Sequence, residues 1–280
     1  MTAPAMLPFG QRLAAARTAR GPLCVGIDPS AALLLAWGLT DDPAGLASFC
    51  DTVTGALAGE IAVLKPQSAF FERHGSAGIA VLEQLTVAAR AAGALVLLDV
   101  KRGDIGSTVQ AYADAYLRAG APLACDAITV SPYLGVEALR PVFDAATAGG
   151  GGVFVVALSS NPEGASVQQA RAADGTTVGA GVLAAVAAEN TGAVPLGSVG
   201  AVVGATLGGL DVDLAVNGPL LAPGLGAQGA AAGDLRRVFG DAAGLVVASV
   251  SRSVLSAGPD PAALRTAALT VRDEVAAALG

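Results

Sequence analysis

Histidine occurs once in this chain, at His74, and charged residues fill only 14% of its 280 positions. The first shortage excludes a metal centre built on several histidines. Cysteine is also scarce. Cys24, Cys50 and Cys125 are odd in number and widely spaced, and no CxxC pair occurs. That pattern argues against a disulfide framework and for reduced thiols in a cytoplasmic protein. Basic residues are outnumbered, with 16 Lys and Arg against 23 Asp and Glu, giving a net charge of −7. Nucleic acid and anionic membrane surfaces are therefore poor partners, since both call for a basic face. One locally basic pocket would still suffice for a phosphate. No GxGxxG follows the first apolar run, and no linker or composition break divides the chain. The first 22 residues, "MTAPAMLPFGQRLAAARTARGP", carry arginines but no apolar core before a cleavage site. They read as a short amphipathic helix from Phe9 to about Ala19 rather than a signal peptide.

Apolar residues are plentiful, at 53% of the sequence, and the mean hydropathy of +0.61 raises the question of a membrane span. Two charge-free stretches exist, between Glu189 and Asp211 and between Asp213 and Asp234. Pro195, Gly197 and Gly200 break the first, and Gly218, Pro219, Pro223 and Gly224 break the second. A lipid-exposed helix must satisfy its own backbone, so buried strands with glycine-rich loops are the better reading. Eight short apolar runs recur along the chain: "LCVGID" (23–28), "IAVLK" (61–65), "ALVLLDVK" (94–101), "AITVS" (127–131), "VFVVALS" (153–159), "SVGAVVGAT" (198–206), "PLLAPG" (219–224) and "GLVVASVSR" (244–252). Between them lie stretches of helical period, such as "GIAVLEQLTVAARAAG" and "TVQAYADAYLRAG". "GGGG" at 149–152 is a loop before a strand. Near-continuous apolar strands alternating with helices indicate a parallel sheet covered on both faces. Eight units over this length predict a single-domain (β/α)8 TIM barrel spanning 1–280, in preference to an open doubly wound sheet.

Where the runs end, polar residues stand: Asp28, Lys65, Asp99 with Lys101, Ser131, Ser159, Thr206 and Arg252. In a barrel these ends converge on the catalytic mouth. The densest set is "DVKRGD", with four charges in the six positions 99–104. Asp99 and Lys101 are two apart on a strand, so their side chains are expected on one face. Lys65, from another strand, is placed to meet them. Asp104 lies past the strand end, where a loop or helix start can aim it elsewhere. Neighbouring carboxylates favour the charged form of Lys101, making it a proton donor rather than a Schiff-base nucleophile. A salt-bridged strand rim is the plainer alternative, and spacing alone leaves both open.

"DVKRGDIGST" resembles the D-x-K-x-x-D signature of the orotidine 5′-monophosphate decarboxylase family. "VGIDP", "LKPQSAFFERHG", "ALSSNPEG", "APGLGAQG" and "SVSRSVL" follow the family's order along the chain. The likeness covers nearly the whole sequence and is nearest the longer bacterial branch, judged by "KPQSAFFERHG" and by the extended segment around "SSNPEGASVQQARAADG". The triplet by itself is shared with sugar-phosphate decarboxylases and hexulose-phosphate synthases. "PGLGAQG" and the arginine at the eighth run make it specific.

The resemblance implies a cofactor-free conversion of orotidine 5′-phosphate to uridine 5′-phosphate (UMP), the last step of pyrimidine nucleotide synthesis. It implies that Lys101 protonates C6 as carbon dioxide leaves, with Asp99 near the substrate carboxylate. Lys65 then bonds within the charged network and to the ribose, and Asp28 binds a ribose hydroxyl. Ser159 binds the pyrimidine amide, while Gln228 and Arg252 hold the phosphate. Asp104 and Thr108 are implied to reach into the other subunit's site of a homodimer. No metal is implied. A magnesium-dependent relative needs a further carboxylate at the second strand end, where this chain has Lys65, with Glu72 further along. A phosphate sensor on a degraded barrel is the non-catalytic alternative, against which the intact Asp99, Lys101 and Asp104 count. His74 reads as an ordinary loop residue, Arg102 as a solvated or helix-pairing residue rather than a ligand, and Ser160, Asn161 and Pro162 as a turn. Ser131 reads as site or turn, Cys24 and Cys125 as small core residues, and Asp126 as part of the fourth strand's entrance without an assigned role.

Overall fold

The computed structural model describes residues 6–208, 211–226 and 229–280. Eight strands lie where the eight apolar runs predict them: β1 Leu23–Ile27, β2 Val63–Pro66, β3 Leu95–Arg102, β4 Ala127–Val130, β5 Gly152–Leu158, β6 Val199–Val203, β7 Leu220–Pro223 and β8 Val246–Val250. All neighbouring pairs are parallel, and β8 returns to β1 through Leu23↔Ala248 and Cys24↔Ser249, closing the barrel. The strands are buried almost throughout, as expected when one face meets helices and the other meets the barrel interior. Valines, isoleucines and leucines such as Val25, Val96, Ile128 and Val246 point outward into a large shell against the helices. Residues of the other parity, Cys24, Val63, Leu97, Ala127, Phe154, Leu221 and Val247, fill the interior.

Helix starts are marked by side chains that accept the orphaned first-turn amides. Asp42 accepts from Gly45 N at 2.8 Å ahead of Pro43, and Asp260 from Ala262 N at 2.8 Å ahead of Pro261. The 149–152 glycines end helix Arg140–Gly149 and begin β5, with Gly150 left-handed at φ 67° as a helix C-cap.

The expected first helix, α1 (Phe9–Arg20), runs one residue longer than predicted and stoppers the barrel at the strands' N-terminal ends. Phe9 is 1% exposed and meets Phe154 edge-on, with centroids 5.9 Å apart. Gly10 donates its amide to Ser198 Oγ at 3.1 Å. Its Cα lies so close to the next loop that a Cβ would stand 2.1 Å from the Leu196 carbonyl oxygen, which only glycine avoids. Arg12 binds Asp126 Oδ1 at 2.5 Å and the Gly150 carbonyl at 2.8 Å. Asp126 therefore stands at the entrance of β4, as its place in the sequence implies, and its role is to bind α1. It is 3% exposed there, where it also accepts Val96 N at 2.9 Å and faces Arg90 at 3.3 Å.

Among the described residues no helix is long and apolar enough to cross a membrane.

Candidate active site

Inside the barrel the filling changes from apolar to polar along the axis. Toward the strands' C-terminal ends the interior positions become Lys65, Asp99, Thr129 and Ser249, all at most 9% exposed. Asp99 sits between two ammonium groups. Its Oδ2 accepts Lys65 Nζ at 2.8 Å and its Oδ1 accepts Lys101 Nζ at 2.6 Å. Thr129 Oγ1 donates to the same Oδ1 at 2.8 Å. Gln67, with its amide nitrogen turned inward, donates to Asp99 Oδ2 at 2.8 Å and to the Asp99 carbonyl at 2.9 Å. Burial alone would raise the Asp99 pKa, but Lys65 and then Lys101 outweigh it and hold the carboxyl well below the usual carboxylate range. For Lys65, burial opposes the charge, yet Asp99 first and Asp28 next lift its pKa above the ordinary lysine range. Asp99 and Lys65 are therefore both ionised at neutral pH. Cys24, directly below, is a core thiol pushed up to about 12 by its burial.

Lys101 meets Asp99 by a different route from simple strand alternation. The β3–β4 register slips between Leu98 and Arg102, and Lys101 has a left-handed backbone at φ 43°. A non-glycine residue in that region costs on the order of 1 kcal/mol, a strain that clusters at functional sites. Lys101 N–H is taken by Thr129 Oγ1 at 3.0 Å. The result is a half-exposed ammonium (side chain 50% exposed) above a buried one (Lys65, 9%), so Lys101 is the more open of the two to a ligand at the mouth. Gly103 follows the slip with no room for a side chain, since a Cβ would stand 2.4 Å from the Ser131 carbonyl oxygen.

Next to this cluster a cleft of about 130 Å³ is lined by Gly26, Asp28, Lys65, Pro223, Ser249 and Arg252. It joins β1, β2, β7 and β8 at the mouth. Asp28 Oδ1 is buried and accepts no hydrogen bond from the described residues, so an acceptor stands ready for a ligand hydroxyl. Arg252 begins the short helix Arg252–Leu255 directly after β8. A roomier cleft of about 650 Å³, lined by residues just before β7 and β8, lies toward the other end of the barrel and contains none of these groups.

The order and spacing of these groups are those of a known family, whose sequence model, described as "Orotidine 5'-phosphate decarboxylase / HUMPS family", matches residues 21–267. The chain belongs to this family. An orotidine 5'-phosphate decarboxylase from Salinispora arenicola is 64% identical over 98% of the chain and 99% of its own length. One from Streptomyces coelicolor is 63% identical over 94% of the chain and 95% of its own length. The fold superposes with a TM-score of 0.98 on a crystal structure from Streptomyces avermitilis described under the same enzyme name, at 60% identity over 100% of this chain and 98% of that one. The Leishmania donovani OMP decarboxylase structure gives a TM-score of 0.77 at 28% identity, covering 98% and 99%.

Of the decarboxylase family residues expected from the sequence, Lys65, Asp99 and Lys101 form the bonded chain, and Asp28 and Arg252 line the adjoining cleft. Ser159 stands at the end of β5 but is engaged locally. Its Oγ donates to Asn161 Oδ1 at 2.6 Å and accepts from Gln168 Nε2 at 2.8 Å, while Gln168 Oε1 takes the Ser159 amide at 2.8 Å. Asp104 lies beyond β3, capping Ile105 N at 2.8 Å; among the described residues no hydrogen bond or ion pair joins it to Asp99 or either lysine. Thr108 is exposed on helix Gly106–Leu117. Gln228 lies outside the described residues. Thr206 is exposed in the turn after β6 and joins no described contact of the cluster. Glu72, the nearest further carboxylate after β2, is occupied by Ser68 Oγ at 2.5 Å and by Arg102. Arg102 thereby proves a pairing residue, with its guanidinium also 5.6 Å from the Tyr112 ring centroid. His74 precedes helix Gly75–Ala91, 3.8 Å from Asp41, and among the described residues no hydrogen bond or ion pair joins it to Asp99 or either lysine.

Sequence reading missed Thr129, Gln67 and Gln168. Each left a faint signal. Thr129 is the polar residue in the run "AITV", Gln67 sits two residues past Lys65, and Gln168 belongs to the extended segment after Ser159.

Proposed function

We propose that this chain decarboxylates orotidine 5′-phosphate to UMP, the last step of pyrimidine nucleotide synthesis, with no metal or organic cofactor, and that residues 1–280 act as one catalytic domain. The observation that carries the reading is the Lys65–Asp99–Lys101 chain, in which a buried carboxylate fixes an exposed ammonium at the mouth of the barrel. Heterolysis of the C6–carboxylate bond leaves its electron pair on C6 as carbon dioxide departs. That carbanion has little delocalisation, so a fixed positive charge beside it is worth most in the transition state. Lys101 Nζ then transfers a proton to C6, giving UMP and a neutral amine that regains a proton from water. Arg252 is suited to the phosphate by its forked donors, and Asp28 Oδ1 to a ribose hydroxyl. Ser159 and Gln228 complete the pyrimidine and phosphate contacts in this reading. Binding energy from the remote phosphate offsets the cost of ordering the site.

The same reading makes the enzyme a homodimer in which Asp104 and Thr108 serve the partner's site. The support is their position beyond β3, exposed or half-buried and unconnected to their own lysines. Three buried free thiols fit a cytoplasmic setting.

The test is to mix the purified protein with orotidine 5′-phosphate, with and without EDTA, and to follow the pyrimidine absorbance. Conversion to UMP that EDTA leaves unchanged is expected. No conversion, or conversion only with added divalent metal, overturns the reading.

A further inference from the structure

We infer that Thr129 is a positioning residue for this reaction, acting through Lys101; the inference rests on the proposed role of Lys101 as proton donor. Thr129 is 1% exposed and lies on the interior face of β4, level with Asp99. Its hydroxyl has one proton, and that proton is spent on Asp99 Oδ1 at 2.8 Å. A lone pair therefore faces Lys101 N–H at 3.0 Å. Because Lys101 Nζ bonds the same Oδ1 at 2.6 Å, the contacts close a ring that runs from the lysine amide through Oγ1 and the carboxylate to the lysine ammonium. Both ends of the proton donor are thus tied to one threonine and one aspartate.

The slip between β3 and β4 explains why a side chain is needed. Lys101 falls within the irregular stretch, in a left-handed conformation, and its amide bonds a side chain of β4 instead of a carbonyl. Thr129 supplies the missing acceptor and spends its own donor on the group that orients the ammonium. Substrate anchoring belongs to other residues at the mouth, so loss of this hydroxyl should displace the proton donor without loosening the nucleotide.

The test compares Thr129→Val, which keeps the volume but removes both bonds, with Thr129→Ser, which keeps the hydroxyl. Thr129→Val is expected to lower kcat by about 10- to 100-fold, the scale of a small displacement of a catalytic group. Its KM and its Kd for UMP should stay within about twofold of the parent, the pattern of a lost transition-state interaction. Thr129→Ser should recover kcat to within about threefold of the parent. Circular dichroism and the thermal midpoint report whether the valine variant is folded. If it is not, Thr129→Cys, whose thiol is a weak donor and acceptor, reads the same loss. A kcat within twofold of the parent, an equal loss in the serine variant, or a loss confined to KM overturns the inference. An active parent with an unchanged valine variant overturns the inference alone, whereas a parent that does not turn over orotidine 5′-phosphate overturns the underlying reading as well.

Discussion

The contact of Asp99 with two lysines decides what this barrel mouth can do. Asp99 keeps its charge despite burial because two ammonium groups lie within 2.8 Å. Removing the exposed one leaves the carboxylate and Lys65 as a buried pair, so Lys101→Ala is expected to fold normally and to lose kcat by about 10³-fold or more. Initial rates at saturating substrate, beside far-ultraviolet circular dichroism, check this; activity within tenfold of the parent removes Lys101 from proton transfer. Asp99 also links stability to pH. Its folded pKa is depressed, so the stability it contributes is complete above the ordinary carboxylate pKa of about 4 and is lost as the pH falls toward the lower folded value. Urea unfolding of the parent between about pH 6 and pH 3 should therefore show an acid decline that is shallower in Asp99→Asn. Equal slopes would mean that other carboxylates set the acid limb.

At the scale of elements, strands and their order were legible because a parallel barrel buries each strand on both faces. The run "IAVLK" and the run "AITVS" announce themselves by composition, and Lys65 and Asp99 by being charged where such runs end. What joins the elements was not legible. Asp126 was legible at the entrance of β4 but without a role, because its partners Arg12 and Arg90 are fixed by folding, the first 114 residues away. The β3 slip was equally hidden, since "LLDVKR" reads as a regular strand. Thr129 could not be singled out without it. Asp126→Asn should cost about 2–3 kcal/mol, toward the low side for breaking a buried ion pair because both arginines keep some contact with water. As the residue lies at the far end from the mouth, kcat should not change. Denaturant unfolding and steady-state kinetics on the same preparation separate the two effects, and an equal fall in kcat would show that the stopper communicates with the site.

For the whole molecule the open question is stoichiometry, and complementation answers it. If Lys101 acts in its own subunit and Asp104 across a two-fold interface, Lys101→Ala and Asp104→Ala homodimers should both be nearly inactive. A mixed dimer carries both defects in one site and neither in the other. Random exchange gives about half mixed dimers, each with one intact site, so co-refolded protein should recover about a quarter of parental activity. Mixed dimers confirmed by mass without recovery would place Asp104 in its own subunit's site or outside catalysis. The helix that closes the barrel floor also has a bearing on how the protein is made. α1 is synthesised before every strand of the barrel, yet Phe9 finds its ring partner at Phe154 and Gly10 its acceptor at Ser198, 188 residues on. A nascent chain must carry that helix undocked while the strands are made, so a segment synthesised ahead of the barrel is among the last to be sealed, and interrupted synthesis leaves its phenylalanine without a place to go.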